Sequence, residues 1–106
     1  MDSTTLQLEI WLRQILDHDA QIFEDAYWGL RPDPVIVVPR LLQLLEITHD
    51  AYSRGKILEL LGESGDPSVA SVISADLHHA DQRVREWAEL ALAALNLGTP
   101  WQHGPE

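Results

Sequence analysis

Apolar residues recur along this chain at intervals of three and four almost from end to end, the period of helices that each bury one stripe. A first helix fits residues 4–17, where Leu8, Trp11, Leu12 and Ile15 form the stripe and Ser3 or Thr4 supplies the cap. A second fits 19–29, capped by Asp19, with Ile22, Phe23, Ala26, Tyr27 and Leu30 apolar; Gly29, Pro32 and Pro34 close it. Asp33-Pro34 then opens a third helix running to Glu46, because Asp offers a cap oxygen and a proline at the first helical position gives up only an amide without a partner. Pro39 inside it predicts a kink or a start delayed to Val38. The β-branched residues 35–38 also read as a short strand, although no other segment offers a partner.

The second half continues the pattern. A fourth helix covers 50–62, capped by Asp50 and closed by Gly62 or Gly65. Asp66-Pro67 starts a fifth over 67–79, with Val69, Val72, Ile73 and Leu77 inward. The sixth, 82–97, is capped by Asp81 and buries Val84, Trp87 or Ala88, Ala91, Leu92 and Leu95. Gly98-Thr99-Pro100 ends it, and a tail begins at Trp101.

Internal repetition orders these helices. Asp33-Pro34 returns as Asp66-Pro67, and Asp50 with Arg54 returns as Asp81 with Arg85. Each unit is a helix opened by Asp-Pro, a short Asp-containing turn, and a second helix with Arg in its first turn. Two stretches, Leu60-Leu61-Gly62-Glu63-Ser64-Gly65-Asp66-Pro67 and Asp81-Gln82-Arg83-Val84-Arg85 followed by Ala88, Ala91 and Leu92, carry a family likeness. At these residues the chain resembles the short bacterial-type HEAT repeat, also seen in phycobilin lyase proteins. The likeness covers 33–98. It departs from the pattern at Ser53-Arg54-Gly55, where Val-Arg is usual, and in the β-branched residues before Pro39. The resemblance implies an all-α fold, three stacked antiparallel helical hairpins forming a short HEAT-like α-solenoid within a single domain, 1–106. Its parts would be a divergent N-terminal capping hairpin (3–32), repeats at 33–65 and 66–98, and a tail at 99–106. No one hairpin buries its apolar face alone, so about three stacked units make a minimal array. Asp50, Asp81, Arg54 and Arg85 read most simply as structural, the Asp as caps and the Arg tying a helix to a neighbouring turn.

Composition narrows the function. Hydrophobic residues are 45% and charged residues 23% of the 106 residues, an ordinary globular balance that fits one domain. There are no cysteines, so disulfides, thiolate metal sites and cysteine nucleophiles are out. The opening Met1-Asp2-Ser3-Thr4-Thr5 has neither the basic nor the apolar region of a secretory leader, and no stretch has the ~20 apolar residues of a bilayer span. The expected location is the cytoplasm, with no membrane partner. Seventeen acidic against seven basic residues give a net charge of −10. Binding to DNA or RNA phosphates needs a basic face, which scattered cations do not form. A basic protein partner is favoured instead, since opposite charge steers encounter; the plainer alternative is that the charge serves solubility.

Catalytic chemistry is hard to find. The histidines stand in Asp17-His18-Asp19, His49-Asp50 and His78-His79, without the His-Glu pairs that hold two irons in HEAT-type hydroxylases. The expectation is no metal and no cofactor. Ser53, Ser64, Ser68, Ser71 and Ser74 lie in no Gly-x-Ser-x-Gly elbow, and no phosphate-binding glycine loop exists. Trp11 and Trp87 read as core, whereas Trp28 and Trp101 are either end caps of the stack or anchors for a partner. The chain therefore reads as a non-catalytic, acidic protein-binding module. The residues expected to meet the partner are Glu24, Asp25 and Trp28, then Tyr52 and Glu59 beside Lys56, then Glu86 and Glu89 beside Arg83. Small size and charge favour an inhibitor of a basic protein, such as a bacterial immunity protein that neutralises a toxin domain. The resemblance alone supports the alternative, an adaptor or assembly factor of the lyase-like type.

Overall fold

In the computed structural model, residues 2–98 and 101 are described. They form six α-helices and two short 3₁₀ segments and contain no strand: α1 Ser3–Ile15, α2 Ala20–Tyr27, α3 Pro34–Ile47, α4 Ala51–Glu63, α5 Ala70–Ala75 and α6 Gln82–Leu97. The chain divides into two compact units, one up to Val37 and one spanning Val38–Trp101. The boundary between these units falls inside α3.

Caps set most of the helix starts. Asp2, not Ser3 or Thr4, caps α1, its carboxylate accepting the Thr5 N–H at 2.8 Å. Asp19 accepts from the amides of Gln21 and Ile22, and Asp33 from that of Val35. Asp50 accepts from Ser53 N–H, Asp66 from Ser68 and Asp81 from Arg83, so both copies of each repeated Asp do the same work. At the other end, α6 stops at Gly98, which takes a left-handed φ of 69° open to glycine at little cost.

In the first unit, Leu8, Trp11, Leu12 and Ile15 are all buried, as the period of α1 predicts. The Trp11 indole N–H donates to the Ala26 carbonyl, pinning α1 to α2. The expected apolar face of α2 is only partly realised: Ala26 is buried, but Ile22 and Leu30 are exposed. An eight-residue helix turns little more than twice, so few of its positions reach the core.

Two expectations fail in the segments that follow. Residues 35–38 are helical, and α3 runs from Pro34 through Pro39 without the delayed start. Asp33 anchors that first turn through its side chain and through its carbonyl, which accepts from Ile36 and Val37. Pro39 is itself exposed, so the carbonyl it leaves without an amide lies at the edge of the structure. The fifth helix is not continuous. It is a 3₁₀ turn at Pro67–Val69, the short α5, and a second 3₁₀ turn at Asp76–His78. Ser68, Ser71 and Ser74 alternate there with Val69, Val72 and Ile73, residues of low helix propensity, and the ends tighten accordingly.

The second unit is organised by α4 lying along α6. On α4, Gly55 and Gly62 stand seven residues apart on the side that meets α6. A Cβ on Gly62 would collide with the Ala91 carbonyl oxygen and stand 2.8 Å from its Cα, and one on Gly55 would enter the Trp87 ring. Val84, Ala88 and Ala91 form the buried stripe of α6, small enough for the two backbones to approach. Ile57, Leu58, Leu60 and Leu61 fill the adjoining core with Val69 and Ile73. Trp101, from the tail, is also buried.

Arginines fasten the turns. Arg54 Nη1 donates to the carbonyls of Leu45 and Thr48 at the end of α3, while Nε and Nη2 grip the Asp76 carboxylate at 2.8 and 3.1 Å. Arg85 repeats the first half of this device, with Nη1 on the carbonyls of His79 and Ala80. Only Arg54 adds the carboxylate, whose side chain is nearly buried.

Two stability outcomes follow from this packing. Gly62→Ala, which in an open helix would gain up to about 1 kcal/mol, should instead cost about 3 kcal/mol in chemical denaturation. Gly55→Ala should cost less, because an indole turns away more readily than a backbone, and it should move the Trp87 emission. Asp76→Ala strips the partly buried Arg54 of its counter-charge and should cost about 3 kcal/mol by the same measurement.

Candidate functional site

The exposed face of the α4–α6 pair gathers polar and aromatic groups. Small buried residues on one side of α6 leave the Trp87 ring half-exposed on the other, against Gly55 and beside two shallow clefts of about 190 Å³ each. One cleft is lined by Tyr52, Arg83, Glu86 and Trp87 with Ala51 at its base. The other is lined by Glu59, Glu63, Trp87 and Leu90, floored by Ala91 and Ala94. The Lys56 ammonium sits 5.1 Å from the Trp87 ring centroid, 5.5 Å from that of Tyr52 and 3.7 Å from the Glu59 carboxylate. That cation is thus held by two π-faces and a carboxylate of its own chain.

Four of the residues expected to meet a partner fall in this unit. Tyr52, Glu59 and Glu86 come together around Trp87, and Glu89 is exposed on α6 outside the two clefts. The other three, Glu24, Asp25 and Trp28, lie in the first unit around the end of α2. Trp28 is 63% exposed, its ring edge-on to Tyr27 at 5.0 Å, which leaves the indole at the surface. Asp25 accepts from the Gln21 side chain and Glu24 is exposed.

Three contributors escaped the sequence pattern. Trp87 lines the site instead of filling the core, because the stripe of α6 passes through Ala88. Glu63 is only 6% exposed and Leu90 is largely bare, the reverse of what either side chain suggests alone. The signal for Trp87 was present in the small residues of both helices, Gly55 and Gly62 against Ala88 and Ala91.

The charges sort by residue type. Each of the nine aspartates accepts a hydrogen bond from within the chain, six of them as helix caps and Asp76 in the Arg54 pair. Most cations are likewise engaged: Arg31 with the Tyr27 carbonyl, Arg54 and Arg85 with turn carbonyls, Lys56 with Glu59, and Arg83 with Asp81. The carboxylates that line the two clefts are glutamates: Glu59, paired with Lys56, the buried Glu63, and the exposed Glu86.

Beside the first cleft, the Arg83 side chain and then its amide donate to Asp81, holding that carboxyl below its ordinary range and raising the Arg83 guanidinium in turn. The Ser68 hydroxyl and amide lower Asp66 in the same way, and the Thr5 amide lowers Asp2. The His79 Nδ1 accepts the Asp81 N–H at 3.0 Å, a turn contact. Among the described residues no group of three or more His, Asp or Glu comes together to hold a metal ion. No helix there is long and apolar enough to cross a membrane.

No protein-family model, curated protein or solved structure matches this chain.

The lowered caps fix a pH dependence. A carboxyl whose native pKa lies below its unfolded value contributes stability fully above the ordinary aspartate range and loses it as pH falls through the native value. Thermal unfolding followed between neutral pH and the acid limb should therefore show a decline that Asp81→Asn makes shallower, since asparagine keeps a cap oxygen but does not titrate.

Proposed function

We propose that the chain is a non-catalytic, acidic protein-binding module whose partner is a basic protein surface, most concretely an inhibitor of the immunity-protein kind that occupies the cationic site of a toxin or enzyme domain. The observation that carries this reading is the α4–α6 face. There Trp87 and Leu90 offer apolar area while Glu59 and Glu86 stand around them. Aromatic anchors with surrounding carboxylates suit a partner rich in Lys and Arg, whose aliphatic stems lie on the rings as their heads meet the carboxylates. A net charge of −10 steers such a partner in.

The scaffold belongs to the same proposal. The recurrence of Asp caps at Asp33 and Asp66 and at Asp50 and Asp81, with matching turn bonds from Arg54 and Arg85, supports tandem helical hairpins of HEAT-like type. Solenoids of that kind present the second helix of each hairpin to their partners, the place α4 and α6 would hold.

A partner captured from the native host should carry net positive charge, and its affinity should weaken by about tenfold from low to physiological salt. Glu59→Gln, Glu86→Gln and Glu89→Gln combined should flatten that salt dependence. Binding indifferent both to salt and to the triple substitution would remove the reading.

A further inference from the structure

We propose, resting on the reading of a basic protein partner, that this partner meets the α4–α6 face with an amphipathic helix. Its apolar stripe lies along Trp87, Leu90, Ala94 and Leu97, and its Lys or Arg residues flank that stripe. The four positions stand three, four and three residues apart, the interval of a seam between two helices. They span about 80° of arc and about 15 Å along α6. The row lies beside the buried stripe Val84, Ala88 and Ala91, so α6 carries two apolar faces side by side, of which the fold buries one. Leu90 is 63% and Leu97 83% exposed, whereas Trp87 and Ala94 are half-buried. The cleft of about 190 Å³ floored by Ala91 and Ala94 follows the same edge, with Glu59 on its α4 side. A single bare leucine is ordinary at a surface; a row at seam spacing beside a groove has the shape of a docking face.

Charge decides what covers it. Away from α4 the row is bordered by Glu86 and, further round, Glu89, both exposed. One Glu86 oxygen accepts from the Gln82 side chain at 3.0 Å. Toward α4 it is bordered by Glu59, which shares its charge with Lys56, and Arg83 at the start of the row is paired with Asp81. The last turn of α6 holds no basic residue, so the partial negative charge of that helix end adds to the carboxylates. A second copy of the chain would bring another −10 to this face and is disfavoured. A basic helix reaches both borders at once. Its apolar residues at the same spacing meet the row, and the residues beside them fall over Glu59 on one border and Glu86 and Glu89 on the other.

The test uses the full chain and a Leu/Lys peptide of about 18 residues with leucines at three-and-four spacing. Two matched peptides accompany it, one of the same composition in scrambled order and one with the ordered pattern in Leu and Glu. Calorimetry should give one ordered Leu/Lys peptide per chain, roughly tenfold tighter than the scrambled one. Amide shifts in nitrogen–proton spectra should fall within residues 56–63 and 83–97, and the peptide should gain helical circular dichroism on binding. Leu90→Asn with Leu97→Asn, both at exposed positions, should abolish the advantage of the ordered peptide, while Leu30→Asn, at a 77% exposed position in the first unit, should leave it unchanged. Equal affinity for the two Leu/Lys peptides at this face, or an advantage that survives the double substitution, would sink the helix and leave a basic partner standing. Shifts centred elsewhere, or binding of neither Leu/Lys peptide, would remove both. A Leu/Glu peptide that binds as tightly would overturn the charge assignment and the proposal with it.

Discussion

The closeness of α4 to α6 is the constraint on which the second unit rests. Two glycines on α4, with no side chain to hold the helices apart, let its backbone settle against Ala91 and the Trp87 ring. Once the seam is that tight, a large residue at position 87 has no room inside it. The indole swings to the flank, covers Gly55, and divides the outer surface into two clefts. Van der Waals packing at the seam and the chemistry of the exposed face are thus one decision. A bulkier seam would separate the helices and draw the same tryptophan inward.

Polar groups follow a comparable economy. Short aspartate side chains reach back to nearby backbone amides at seven of nine positions, Asp25 and Asp76 taking side-chain donors instead. Arginines turn inward to carbonyls at the ends of α3 and at the turn before α6. In the first unit Arg31 follows the same pattern, buried with its Nε–H on the Tyr27 carbonyl and its guanidinium over the Tyr27 ring.

Much of the fold was legible residue by residue. The caps at Asp19, Asp33, Asp50 and Asp81 and the stripe Leu8, Trp11, Leu12 and Ile15 stand where spacing put them, because a cap needs only its own next turn and a stripe only its own helix. Expectations that needed knowledge of neighbours fared worse. Ile22 and Leu30 read as inward from period alone but are exposed. Pro39 read as a kink or a delayed start, and the helix instead begins at Pro34, with an anchored first turn, and runs through Pro39. Of the site, the carboxylates and Tyr52 were legible as exposed polar helix residues, whereas Trp87, Glu63 and Leu90 were not.

The amino-acid order by itself determined the all-helical character, the helix starts, the anionic balance and the absence of thiol chemistry, since each depends on contacts within a few residues or on composition alone. Tertiary structure decided which face of α6 is buried, where Trp87 points, that Arg54 pairs with Asp76 twenty-two residues away, and that Arg31 lies buried. Those outcomes turn on how near two backbones come, a distance set by the side chains of both helices at once and encoded in neither alone.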